Sequence, residues 1–138
     1  MELTDFFQPG MAREDQYQVE EAHTAIHVGS GSYRVLATPW LIGFMERTAR
    51  RLLAEHLPEG YSSVGVLVNV RHLAPSAVGS RLRVLAEVVA IDGWGVTFNV
   101  QAWDDQEHIG SGQHQRVVIE EARFLRRLAK KTSSSHPD

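Results

Sequence analysis

The chain has no cysteine. Disulfides, thiolate nucleophiles and cysteine-bound metals are therefore excluded. No apolar run approaches the ~20 residues that a membrane-spanning helix needs. Neither sign of charge dominates. A formal net charge of −3 and a pI of about 6.1 give no reason to expect nucleic acid or an anionic membrane as a partner. The opening residues MELTDFF are acidic and lack a basic-then-apolar order, so no signal peptide is expected and the cytoplasm is the expected compartment.

What is present is a chain of 138 residues, 43% hydrophobic and 22% charged, the proportions of an ordinary folded domain. One domain is expected over residues 1–131, followed by a polar tail, TSSSHPD at 132–138, expected to be disordered. A chain of this size can bury a real core and still gain from dimerising.

Residues 37–57, ATPWLIGFMERTARRLLAEHL, predict one long helix. Thr38 is placed to cap it, with Pro39 at the first helical position. Trp40, Leu41, Phe44, Met45, Ala49, Leu52 and Leu53 recur at helical spacing, and Pro58 and Gly60 end the run. Glu46 stands out at the edge of this apolar stripe. It reads either as a solvated partner of Arg50 at i,i+4, with Gly43 serving helix–sheet packing, or as an acid beside space that Gly43 leaves for a ligand.

Residues 16–28 carry some alternation and predict a first strand, broken near Glu21; the loop GSGS follows at 29–32. After the helix come four strand-like runs. The most apolar, 63–73, predicts a central, well-covered strand. The run 81–91 alternates through Leu82, Val84, Ala86, Val88 and Ala90, and 96–103 through Val96, Phe98, Val100 and Ala102, with Asp92-Gly93 as the hairpin signal between them. The last strand is 108–120, and EARFLRRLAKK at 121–131 predicts a short amphipathic helix. One strand, one segregated helix and a four-stranded antiparallel meander give an α+β class, a helix wrapped by a curled five-stranded antiparallel sheet.

The seven histidines show no clear metal pattern. His23 and His27 are four apart but fall in a predicted strand, where that spacing is wrong for a shared ion. His72 ends the most apolar strand, just before a turn. Gly110-Ser111-Gly112 lies inside a strand and predicts a β-bulge or a close backbone approach, not a phosphate loop. Alternation puts Arg116 on one face with Gly110, Gly112 and His114, either as a solvated cation or as the partner of a carboxylate or anion.

Three segments carry a pattern together. Thr38 and Glu46 stand eight apart in ATPWLIGFME, Gly65 and His72 seven apart in GVLVNVRH, and Arg116 lies in IGSGQHQRVVI. In order and internal spacing the chain resembles the hotdog-fold acyl-CoA thioesterases over residues 17–131, and within them the fluoroacetyl-CoA thioesterase type most closely. The resemblance implies that Thr38, Glu46 and His72 are catalytic and that Gly65 and Arg116 bind substrate. It also implies a homodimer or a higher oligomer, with two sheets joined edge to edge and active sites at the subunit interface; no cofactor and no metal are expected. The implied reaction is hydrolysis of a short-chain acyl-CoA to free acid and CoA. Glu46 would be general base or transient acyl acceptor, Thr38 would orient water or polarise the carbonyl, and His72 would position or protonate. Backbone N–H groups near Gly65 or the helix start would hold the oxyanion. The segment 29–35, GSGSYRV, departs from the fluoroacetyl-specific type, which has bulky aromatics there, so the resemblance carries the reaction and not the acyl group. The rival reading is a non-catalytic acyl-CoA-binding dimer on the same fold.

Overall fold

The structure, a computed structural model, describes residues 1–134. In order it contains β1 (Ala12–Gln18), α1 (Ala25–Val28), α2 (Thr38–His56), β2 (Tyr61–His72), β3 (Arg81–Asp92), β4 (Gly95–Trp103), β5 (His108–Glu120) and α3 (Glu121–Ser134), with 3-10 turns at Leu3–Asp5 and Glu21–His23. The last helix continues past Lys131 to Ser134, and residues 135–138 of the expected tail lie outside the described residues.

The first strand ends earlier than the alternation suggested. Residues 21–28 form helical turns instead, because Thr24 caps α1 by accepting from the His27 backbone N–H and Gly29 closes it at φ 87°. His23 and His27 therefore sit on separate turns, and the His23 ring packs against Trp40 and Phe44.

The five strands form one antiparallel sheet in the order β1-β3-β4-β5-β2. Only β3, β4 and β5 form a meander. The expected four-stranded meander is corrected by β2, which pairs with β5 and not with β3. The chain returns from β2 to β3 through a segment pinned by the Leu36 N–H to the Ser76 carbonyl at 2.8 Å and by the Val35–Ala77 bridge. This crossover puts β1 and β2 at opposite edges, and the sheet curls so that both edges reach α2.

The helix face and the sheet face close on each other as the periodicities require. Leu41, Phe44, Met45, Ala49, Leu52 and Leu53 are buried against Leu82, Val84, Ala86 and Val88 of β3 and Val96, Phe98, Val100 and Ala102 of β4. Each such large side chain contributes about 1.5–3 kcal/mol when fully buried. A bulge between Val88 and Ala90 shifts the phase of β3, so Ile91, not the expected Ala90, turns to the core.

The two glycines of β5 are both close-approach positions. A Cβ on Gly110 would lie 2.9 Å from Leu41 Cδ2, and one on Gly112 would lie 2.1 Å from the Asn69 carbonyl oxygen and 2.6 Å from Val70 Cα. The second clash is with backbone, which cannot rotate away. Gly112→Ala should therefore push β2 from β5 and destabilise by roughly 3 kcal/mol, the upper end of overpacking costs. A thermal melt within a degree or two of wild type would show that the strands absorb the methyl.

The two sheet edges differ in chemistry. β1 presents Arg13, Glu14 and Asp15, which are tied into ion pairs with Glu55, Arg51 and Arg83. β2 presents Val66, Leu67 and Val68, which are 57%, 42% and 41% exposed. The expectation of a central, covered strand is thus corrected: the most apolar strand of the chain is an uncovered edge, the feature that soluble proteins ordinarily blunt or pair.

Candidate active site

The residues singled out by sequence gather in two clusters at the two ends of β2. The first joins Thr38 to His72. Ala37, with extended backbone, is the residue that caps α2, and Thr38 is already helical. Its hydroxyl makes no capping bond and lies 2.8 Å from His72 Nδ1. The expected cap is corrected for that reason, and Pro39 moves to the second helical position. His72 is half-buried at the end of β2, and its Nε2 is shielded from solvent with no hydrogen-bond partner among the described residues. Burial pushes its pKa below the ordinary imidazole value, against a smaller opposite pull from the Ala74 backbone. The ring is therefore neutral near pH 7, with Nδ1 engaged by Thr38.

The second cluster surrounds Glu46. Its Oε2 lies 3.8 Å from Arg116 Nη1, and it has no ion pair with Arg50. The i,i+4 alternative is thereby set aside in favour of a long-range cation. Gly43 faces open space apart from Trp40 at ordinary contact distance, so it permits no close backbone approach. Gly65 does: a Cβ there would lie 2.6 Å from Glu46 Oε2 and 3.2 Å from His114 Cε1. Only a hydrogen fits between the carboxylate and this stretch of β2.

Arg116 is only 6% exposed. Its Nε donates to Ser63 Oγ at 2.9 Å and its Nη2 to the Ser63 carbonyl at 3.1 Å. Burial lowers its pKa from the ordinary guanidinium value, while Glu46 pulls the other way. The fully buried His114 completes the frame. Its Nδ1 lies 2.9 Å from the Leu67 carbonyl and its Nε2 lies 3.2 Å from Arg116 Nη1. Nδ1–H donating and Nε2 accepting is the tautomer that satisfies both contacts, and burial holds this imidazole neutral by lowering its pKa. Neither Ser63 nor His114 was assigned to the site by the sequence reading. The alternation that grouped His114 with Arg116 was a usable signal, whereas nothing local to Ser63 marked it.

The clusters are well separated. Eight residues of continuous helix between Thr38 and Glu46 rise about 12 Å, and seven residues of strand between Gly65 and His72 span roughly 23 Å. One chain therefore holds a neutral histidine–threonine pair at one end of β2 and a carboxylate beside a buried cation at the other.

Known proteins share this fold. The structure superposes on that of the fluoroacetyl-CoA thioesterase FlK with a TM-score of 0.85 at 28% identity, covering 95% of this chain and 98% of that one. It superposes on a hot-dog-like protein from Thermanaerovibrio acidaminovorans with a TM-score of 0.88 at 25% identity, covering 95% and 97%. The chain is a hotdog-fold thioester hydrolase. It belongs to the fluoroacetyl-CoA-specific thioesterase family, whose model matches residues 19–122. The fluoroacetyl-CoA thioesterase of Streptantibioticus cattleyicolor is 35% identical over 98 residues, 71% of this chain and 70% of that protein.

Proposed function

We propose that the protein hydrolyses a short-chain acyl-CoA at a composite site built by two copies of the chain, in the cytoplasm, where acyl-CoA thioesters are made and used. The observation that carries this reading is the placing of the two clusters at opposite ends of one uncovered apolar edge. Antiparallel pairing of β2 with β2 of a second copy, about a two-fold axis near Val68 and Asn69, sets residue 65 of one opposite residue 72 of the other. Each Thr38–His72 pair then faces the Glu46, Gly65 and Arg116 of the second copy, and the exposed Val66, Leu67 and Val68 become covered.

In such a site the thioester carbonyl lies between the halves. Glu46 delivers the attacking oxygen, its own or that of a water it deprotonates. The tetrahedral oxyanion is held by backbone N–H of the Gly65 stretch, where the missing side chain allows close approach, and the Arg116 charge lies behind it. Collapse breaks the C–S bond, and the departing thiolate takes the proton that Glu46 removed from the water. If the Glu46 oxygen itself attacks, water then cleaves the mixed anhydride, which frees the acid, restores the carboxylate and supplies the thiolate's proton. Thr38 and the unpartnered Nε2 of neutral His72 orient the carbonyl or the water from the other side. The substrate class follows the fluoroacetyl-CoA thioesterases to which the chain is similar, whose acyl group has two carbons. Residues 29–35 contribute one aromatic, Tyr33, which is 75% exposed and forms no cover, so the proposed substrate is a short acyl chain without a claim to fluorine.

The test is free-thiol release from acetyl-, fluoroacetyl-, butyryl-, octanoyl- and phenylacetyl-CoA by the purified protein. Turnover is expected to be highest at the short end. Binding of acyl-CoA without release from any member would instead identify an acyl-CoA-binding dimer.

A further inference from the structure

Beyond the catalytic clusters, the most distinctive surface is a groove of ≈ 640 Å³ between α3, the end of β5 and the β3–β4 turn. Its lining includes Tyr61, Trp94, Arg123, Phe124 and Arg127, with Glu120 as its one acid. Trp94 and Tyr61 lie parallel, with ring centroids 6.2 Å apart and an interplanar angle of 9°, and Trp94 is 46% exposed. The groove is fixed by backbone: the Val118 N–H donates to the Trp94 carbonyl at 2.8 Å, and the Glu121 N–H donates to the Gly60 carbonyl at 2.9 Å. Helix α3 carries five of the chain's fourteen Lys and Arg against one acid, in a protein whose net charge is −3. Neither Arg123 nor Arg127 is paired with a carboxylate among the described residues.

A second groove, of ≈ 440 Å³, shares Tyr61, Ile119 and Phe124 with the first and runs past Arg50 to Ser63. Ser63 is the residue that holds Arg116. The two grooves thus meet along Tyr61, Ile119 and Phe124, and the second reaches the residue that holds Arg116. Tyr61 lies four residues, about 13 Å of strand, from Gly65.

We propose that the outer groove binds the adenosine 3′,5′-bisphosphate end of CoA, with the pantetheine arm in the second groove. This rests on the acyl-CoA reading above and assigns it residues. An exposed indole backed by a second ring offers a stacking surface for a purine, worth having because every base presents a π-face. Two guanidiniums with no carboxylate partner among the described residues suit phosphate oxygens, and Arg is the side chain that binds them in fork geometry. Glu120 can accept a hydrogen bond from a ribose hydroxyl or the adenine amino group. The charge complementarity is local, since the rest of the chain is acidic.

Two measurements test the assignment. The first compares kcat/KM for an acyl-CoA and for the same acyl group on pantetheine, in wild type and in Arg123→Ala/Arg127→Ala. These side chains lie on a solvent-facing helix, and circular dichroism verifies that the variant folds. The wild-type preference for the CoA ester is expected to fall by roughly tenfold to a hundredfold, the loss expected for charge-assisted phosphate contacts. An unchanged preference overturns the assignment. The second is calorimetric binding of adenosine 3′,5′-bisphosphate alone, which needs no turnover. Binding by wild type that weakens at least tenfold in the double variant and in Trp94→Ala upholds the groove even if no acyl-CoA is hydrolysed, in which case only the catalytic reading fails. No binding by wild type, or binding of α3 to phosphatidylserine vesicles in place of the nucleotide, overturns it.

Discussion

Glu46→Gln will lower kcat for thioester hydrolysis by roughly 10²- to 10⁴-fold, the range that a positioned general base supplies, with the fold retained. The substitution keeps the shape and removes only the charge and basicity, so steric explanations do not apply. The carboxylate is chemically available: it is 41% exposed, at the edge of the core and not inside it. Its position is fixed from three sides by α2, by the Arg116 guanidinium and by the Gly65 backbone, where no side chain intervenes. Arg116 survives the change, because Ser63 and His114 still hold it, so the melting temperature should drop little. Single-turnover thiol release on the variant makes the measurement. Activity within fivefold of wild type would remove Glu46 from the chemistry and leave it as a counter-ion for a buried arginine.

Much of this arrangement is written in local periodicity, and the parts that are not share a cause. The α2 stripe and the alternations of β4 and β5 are properties of short windows, and the structure follows them to within a residue or two. The apolar run in β2 misled because a continuous apolar strand looks the same whether its cover comes from its own chain or from another molecule. Its pairing with β5 is non-local, and no residue in the 63–73 window announces it. Thr38 misled for a related reason. Beside Pro39 it has the features of a cap, but a partner 34 residues away claims its hydroxyl. Arg116 shows the limit from the other side: alternation placed it on the correct face, but the choice between solvated cation and carboxylate partner required the curl of the sheet that brings α2 over it. In the 21–28 segment the signals were present and outweighed by chance alternation, since Thr24 and Gly29 are the cap residues that a short helix needs.

The proposed composite site makes a second prediction of comparable size, one that a site complete within one chain cannot meet. Glu46→Gln and His72→Ala should each be nearly inactive as homodimers, because each removes one half of both sites. Co-expressed at equal levels, they assort into mixed dimers in which one site draws its intact His72 from the first chain and its intact Glu46 from the second, while the other site carries both lesions. Random assortment in a two-fold dimer then restores about a quarter of wild-type activity, and purified mixed dimers restore about half. The geometry leaves little freedom here. Thr38 and Glu46 are separated by two turns of one continuous helix, and the strand beneath them holds Gly65 and His72 farther apart still. In the proposed pairing, a second β2 running the other way along the exposed Val66–Val68 edge brings opposite ends together. The control is a charged edge, Val66→Asp with Val68→Asp, which should give a monomer by sedimentation with neither site assembled and no recovery on mixing. Recovery absent from tagged, purified mixed dimers of Glu46→Gln and His72→Ala would show that both groups serve one chain, and the reaction would then have to be rebuilt on a different pairing of the two clusters.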